Sequence, residues 1–156
     1  MSLEQKVQTA GTNEGLAAKV QSPQNHRTYN ILIIDYSELA ERFLADNINA
    51  YYHQSNKANI VAVQNSLDVL AQTQKHKFDL IISEVNPMQQ DYYGLLEQIR
   101  TQPDYKTTPI LVWTGMPEEM IEKQKLEAIG VKLQEIFFKY ADLATLLQRI
   151  NAYCPR

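Results

Sequence analysis

From Tyr29 onward one pattern recurs five times: a short apolar run, then a stretch with apolar residues at helical spacing. "YNILIID" leads into "SELAERFLADNINAYY", where Leu39, Phe43, Leu44 and Ile48 recur at that spacing. "NIVAVQ" leads into "SLDVLAQTQKHK", and "FDLIISE" into "YGLLEQIRTQ", with Leu95, Leu96 and Ile99 on one face. "PILVWTG" precedes a segment opened by Pro117, Glu118 and Glu119, residue types favoured in a first helical turn. Gly130 is placed to stop that helix. "LQEIFFK" and "YADLATLLQRINAY" complete the set, with Leu143, Leu146, Leu147 and Ile150 as the last stripe. Runs one, three and four are continuously apolar, as strands covered on both faces must be. Parallel strands joined by helical crossovers meet that demand. The expectation is a doubly wound α/β domain.

Residues 1–28 have a different texture. They hold no aromatic residue, and Gln, Asn, Thr, Ser and Gly dominate. Such a segment buries too little surface to offset its ordering entropy, so it reads as a flexible leader or linker before a domain at 29–154. The chain of 156 residues is 44% hydrophobic, enough for one packed core. A net charge of -3 gives no reason to expect a nucleic-acid partner. No apolar run is long enough to span a bilayer, and no signal-peptide core is present, so no membrane role is expected. Cys154 is the only cysteine, which rules out a disulfide within the chain and suits a reducing cytoplasm.

In doubly wound folds, ligands sit at the carboxyl ends of the strands. The strand ends here deliver Asp35, Glu84, Thr114 and Lys139: two acids, a hydroxyl and a cation. Glu84 ends an apolar run abruptly, and a carboxylate there is costly unless something engages it. Other candidates are weaker. His26, His53 and His76 have no ligand spacing, and Cys154 has no evident His partner. In the pairs Tyr51–Tyr52 and Tyr92–Tyr93, one member is expected in the core and the other half-exposed, with a contact surface as the other reading. No G-x-G-x-x-G motif or P-loop supports dinucleotide or nucleotide binding.

The order and chemistry of these strand ends resemble the receiver domain of two-component response regulators, the CheY-like family, over roughly residues 29 to 153. The resemblance implies a flavodoxin-like five-stranded parallel sheet in the order 2-1-3-4-5, with helices on both faces. In that family an acidic pair ends strand one and holds Mg²⁺, an aspartate ending strand three accepts a phosphoryl group, and a Thr or Ser and a Lys bind its oxygens. Asp35 matches one acid, Thr114 the hydroxyl and Lys139 the lysine, and Glu84 falls at the acceptor position. The departures are Tyr36 in place of the second acid, Glu84 in place of the acceptor aspartate, and Tyr140 in place of the proline that usually follows the lysine. A cis peptide there loses its chemical basis. "VNPMQQDYYG" is shifted and about two residues longer than the family's turn. Ile136 takes the place of the family's aromatic switch.

These departures imply a degenerate receiver. It would signal through protein contacts, without phosphorylation and without an enzymatic activity of its own. Mg²⁺ demands near-octahedral oxygens; with Tyr36 present, only Asp35, Glu84 and Asn86 remain as weak metal candidates, and no cofactor is expected. Glu84 is expected to pair with Lys139, and Tyr36 to pack over the pocket. A histidine kinase or an output domain is the expected partner, through about residues 117–153, with a homodimer as another form. One alternative is a working receiver that uses Glu84 or Asp91 as acceptor, revealed by Mg²⁺-dependent phosphorylation. The other is a different flavodoxin-like domain, revealed by a copurifying cofactor.

Overall fold

In a computed structural model of the chain, residues 27–53 and 57–156 are described. Most of the expected leader, residues 1–26, lies outside them. Arg27 is already attached to the domain, paired with Asp79 and lying over the Tyr29 ring.

The strands are β1 (Tyr29–Ile34), β2 (Ala58–Val63), β3 (Leu80–Ser83), β4 (Ile110–Thr114) and β5 (Ile136–Phe138). The helices are α1 (Glu38–Tyr52), α2 (Ser66–Lys75), α3 (Tyr92–Thr101), α4 (Lys123–Ala128) and α5 (Leu143–Tyr153). The strands form one parallel sheet in the order β2-β1-β3-β4-β5. Successive side chains on a strand point to opposite faces, so each central strand feeds two cores. Ile31, Ile33, Leu80, Ile82, Leu111 and Trp113 pack under α1 and α5. Leu32, Ile34, Ile81, Ile110 and Val112 pack under α2, α3 and α4. The three central strands are buried except for Asn30 on β1, which is half-buried, whereas the edge strand β2 is half-exposed.

Side-chain caps fix where helices begin. Ser37 caps α1 by accepting the Ala40 N–H, and Asn65 caps α2 by accepting that of Asp68. Asp91 caps α3 by accepting the Gly94 N–H at 3.0 Å. A Cβ at position 94 would lie 2.3 Å from Asp91 Oδ2, so this cap requires glycine. Gly130 ends α4 at φ 83, and the Gly130 and Val131 N–H groups bond back to Glu127 and Leu126.

Four expectations need correction. The fourth helix does not begin at Pro117; a 3-10 turn spans Glu118–Met120, and α4 starts at Lys123. Ile121 turns into the core from an extended backbone, φ -83 and ψ 129, which interrupts any helix there. The fifth strand is only Ile136–Phe138, because Leu133–Glu135 forms another 3-10 turn. On α1, Leu44 and Ile48 face the core, but Leu39 and Phe43 are 78% and 50% exposed. Tyr51 and Tyr52 divide as expected, whereas Tyr92 and Tyr93 are both buried, which removes that pair as a contact surface.

Candidate functional site

Parallel register brings the strand-end residues together. Ile34 lies opposite Ser83, so Asp35 and Glu84 leave adjacent strands side by side. Thr114 lies opposite Phe138, and the Lys139 N–H donates to the Thr114 carbonyl at 2.9 Å. The Lys139 side chain reaches back across β4 to both acids. Its Nζ lies 2.5 Å from Asp35 Oδ2 and 2.9 Å from Glu84 Oε2. Both acids are buried, and the Lys139 ammonium also sits 5.2 Å from the centre of the Trp113 ring. Phe43 stacks on the same tryptophan, the chain's only one, ring centre to ring centre at 6.2 Å.

Every carboxylate oxygen of the pair already has a protein donor. Asp35 Oδ1 accepts the Ser37 N–H at 2.9 Å, and Oδ2 faces Lys139. Glu84 Oε1 accepts the Val85 N–H at 2.7 Å. Glu84 Oε2 accepts the Gly115 N–H at 3.1 Å and faces Lys139. Asn86, the third weak metal candidate, is engaged too. Its backbone carbonyl accepts the Gln89 N–H, and its side-chain oxygen accepts that of Met88. A divalent cation would need oxygens directed at one point, and these are directed at N–H groups and an ammonium, so the residues present do not fit it. Among the described residues no group of three His, Cys, Asp or Glu is placed to hold a metal ion.

Two acids share one largely buried cation, and burial favours the protonated form of Asp35. The Asp35 carboxyl is pushed up, first by burial and further by Glu84; the Lys139 hydrogen bond and charge and the Ser37 N–H only partly oppose this. Burial alone would pull Lys139 down. The hydrogen bond to Asp35 and the charges of Glu84 and Asp35 outweigh it, so the lysine ends up raised.

The remaining candidates fall as follows. Thr114 is fully buried at the same edge, where its hydroxyl oxygen accepts the Met116 N–H. Tyr36 does not pack over the pocket as expected; its side chain is 56% exposed, and its backbone N–H is what engages the site, donating to the Tyr92 hydroxyl. Asp91 is occupied as the α3 cap. Ile136 is half-buried on β5. No cis peptide occurs among the described residues, the Lys139–Tyr140 bond included. His53 bonds the Ala50 carbonyl, His76 meets the Phe78 ring edge-on, and His26 lies outside the described residues. Cys154 is buried, and burial pushes its thiol up to about 12, which leaves it a poor nucleophile.

Two neighbours were missed from the sequence. Glu41 is buried on α1 beside Asp35, its carboxyl raised by burial and by the charges of Asp35 and Glu38 against the Gln64 hydrogen bond. Its spacing with Leu44 and Ile48 was the available signal. Tyr92, the first residue of α3, stands at helical spacing with Leu95, Leu96 and Ile99, a signal for burial but not for its hydroxyl contacts.

A model of the response regulator receiver domain matches residues 31–151. The chain belongs to that family. The receiver is 25% identical over 126 residues to the sensor histidine kinase RcsC of Salmonella typhimurium and to that of Escherichia coli, covering 81% of this chain. It spans 12% of the length of those kinases. Among solved structures, the chemotaxis response regulator CheY4 of Vibrio cholerae is similar at TM-score 0.64 and 25% identity, over 81% of this chain and 98% of that one. A putative response regulator from Chloroflexus aurantiacus shares the fold at TM-score 0.64 and 21% identity, over 83% and 100% of the two chains. Five parallel strands in the order 2-1-3-4-5 are thus a two-component receiver fold.

Proposed function

We propose that this receiver signals without accepting a phosphoryl group, as a protein-interaction module. One observation carries the reading: all four oxygens of Asp35 and Glu84 are already met by protein donors. Phosphoryl transfer depends on a positioned nucleophile and on neutralising developing charge. Glu84 aims its oxygens at the Val85 and Gly115 N–H groups and at Lys139. The carboxylate acts as a fixed anion at the acceptor position, a partial imitation of a phosphorylated aspartate with one charge and two oxygens.

The partner is a histidine kinase or an output domain, as in the two-component systems whose kinases the chain resembles in part. Its surface is the stretch 117–153, where Met120, Leu133, Tyr140 and Tyr153 leave large apolar groups exposed. Among the described residues no helix is long and apolar enough to cross a membrane, and a cytoplasmic site suits the unpaired thiol of Cys154. Mass spectrometry after incubation with acetyl phosphate, with and without Mg²⁺, tests the reading. The expected result is no added phosphoryl group in either condition. A Mg²⁺-dependent adduct on Glu84 or Asp91 would replace it with a working receiver. Interaction mapping that places every contact on α1 and α2 would reject the surface assignment.

A further inference from the structure

Between β3 and α3 lies a contact that the fixed-anion reading does not use. Tyr92 is fully buried in the first turn of α3, with its ring among the core residues on that face. Its hydroxyl has two partners. It accepts the Tyr36 N–H at 2.8 Å and donates to Gln89 Oε1 at 2.8 Å. Tyr36 directly follows Asp35, and Gln89 lies in the loop that leaves Glu84. The phenol therefore joins the two loops that carry the acids. The next residue, Gln90, ties the same loop to the end of β2 by donating to the Gln64 carbonyl. Glutamines and a tyrosine thus fasten the β3–α3 loop across the ends of β1 and β2.

Two acidic loops repel each other and need something positive or bridging between them. A divalent cation would serve, but the carboxylate oxygens here are turned to Lys139 and to amides. We propose that Tyr92 is a positioning residue that does the bridging instead: its hydroxyl holds the β1–α1 loop against the β3–α3 loop, so that Lys139 meets Asp35 and Glu84 together with no cation between them. This rests on the metal-free reading above. The oxygen is suited to the task because it keeps its proton. Burial, reinforced by the nearby charges of Asp35 and Glu84, holds the phenol up at about 12 against the opposing hydrogen bonds of the Gln90 side chain and the Tyr36 N–H.

Tyr92→Phe keeps the ring and removes the bridge. Two readouts separate positioning from general stability. One is the exchange rate of the Tyr36 amide, measured against the Glu84 amide, which is held by the Ile34 carbonyl. The other is the pH profile of Trp113 emission, since this single tryptophan lies 5.2 Å from the Lys139 ammonium. The expected result is Tyr36 exchange faster by about tenfold, the Glu84 amide unchanged, and a displaced acidic transition in Trp113 emission. Gln89→Ala removes only the acceptor and is expected to move both readouts the same way by less, which covers failure of Tyr92→Phe to fold. Native-like Tyr36 exchange and emission in whichever variants fold would overturn the Tyr92 assignment. A Mg²⁺ titration of the native protein is followed by the same emission. A Mg²⁺ response there would overturn the metal-free reading, and with it the cation-free part of the inference, whatever the amides do.

Discussion

Two partly buried cations, Arg100 at the amino edge of the sheet and Lys139 at its carboxyl edge, are used differently. At the amino edge, Arg100 leaves the end of α3 and donates to the carbonyls of Tyr105, Thr108 and Ile129. These carbonyls belong to a helix end and a connection that leave acceptors without backbone partners. At the carboxyl edge, Lys139 faces two carboxylates. The arginine satisfies dipoles, so its own contribution carries little dependence on pH. The lysine balances opposite charge in a dry site, so its edge responds to protons and to anything that adds or removes a charge. Structure is held at one edge and chemistry is concentrated at the other.

The largest break in this comparison should come from Lys139→Met, which leaves two buried acids with no cation. Removing one side of a buried pair costs about 3–5 kcal/mol, whereas Lys123→Met, which breaks only an exposed pair with Glu118, should cost about 0–1 kcal/mol. Urea denaturation of both variants measures the gap. Equal stabilities would mean that the carboxyl edge is no more charged, in effect, than an ordinary surface. Arg100→Met should come next, at about 1–3 kcal/mol, because water can reach part of the site and replace some of the lost donors. Its loss should be the same at pH 5 and pH 8; a strong dependence would show that acids, not carbonyls, hold the arginine.

Which parts were legible follows from the same division. The alternation of apolar runs and helical stripes was enough for the doubly wound sheet, because burial on two faces imposes those periods on the sequence. Asp35, Glu84, Thr114 and Lys139 were legible because strands in parallel register end at one edge. The Glu84–Lys139 pair could be expected from charge balance alone, and it is direct. Hidden were the contacts set by loops. Tyr36 and Tyr92 stand far apart in the chain, and no local period announces a phenol bonded to a backbone N–H. The late start of α4 was hidden too, because Pro117, Glu118 and Glu119 favour a first turn and only the burial of Ile121 prevents it. That Lys139 would meet Asp35 as well as Glu84 depended on the length of its side chain across β4.

A smaller effect is expected from Glu84→Gln. The pocket has one acid too many, so after this change Lys139 still has Asp35, and the glutamine oxygen can still accept the Val85 N–H. The net change should stay within about 1 kcal/mol. The double variant Lys139→Met with Glu84→Gln should then be more stable than Lys139→Met alone, since one of the stranded acids is gone. Losses that simply add would show that the two side chains do not act as a pair.

The smallest effect is a matter of sign, and it sharpens the comparison most. Lys139 is raised in the fold, so the stability it supplies is fully present below the ordinary lysine value of about 10.4 and is lost as pH rises through its folded value. Asp35 is raised as well, so between the ordinary aspartate value of about 3.9 and its folded value the native state binds more protons than the unfolded chain. Its contribution therefore declines as pH rises through that window and levels off above it. A carboxylate governed by its salt bridge would do the opposite and gain stability over the same range. The stability of the native protein minus that of Asp35→Asn, followed upward from pH 4, should fall. A flat difference would mean that Lys139 compensates Asp35 fully, and a rise that it overcompensates and depresses the carboxyl instead.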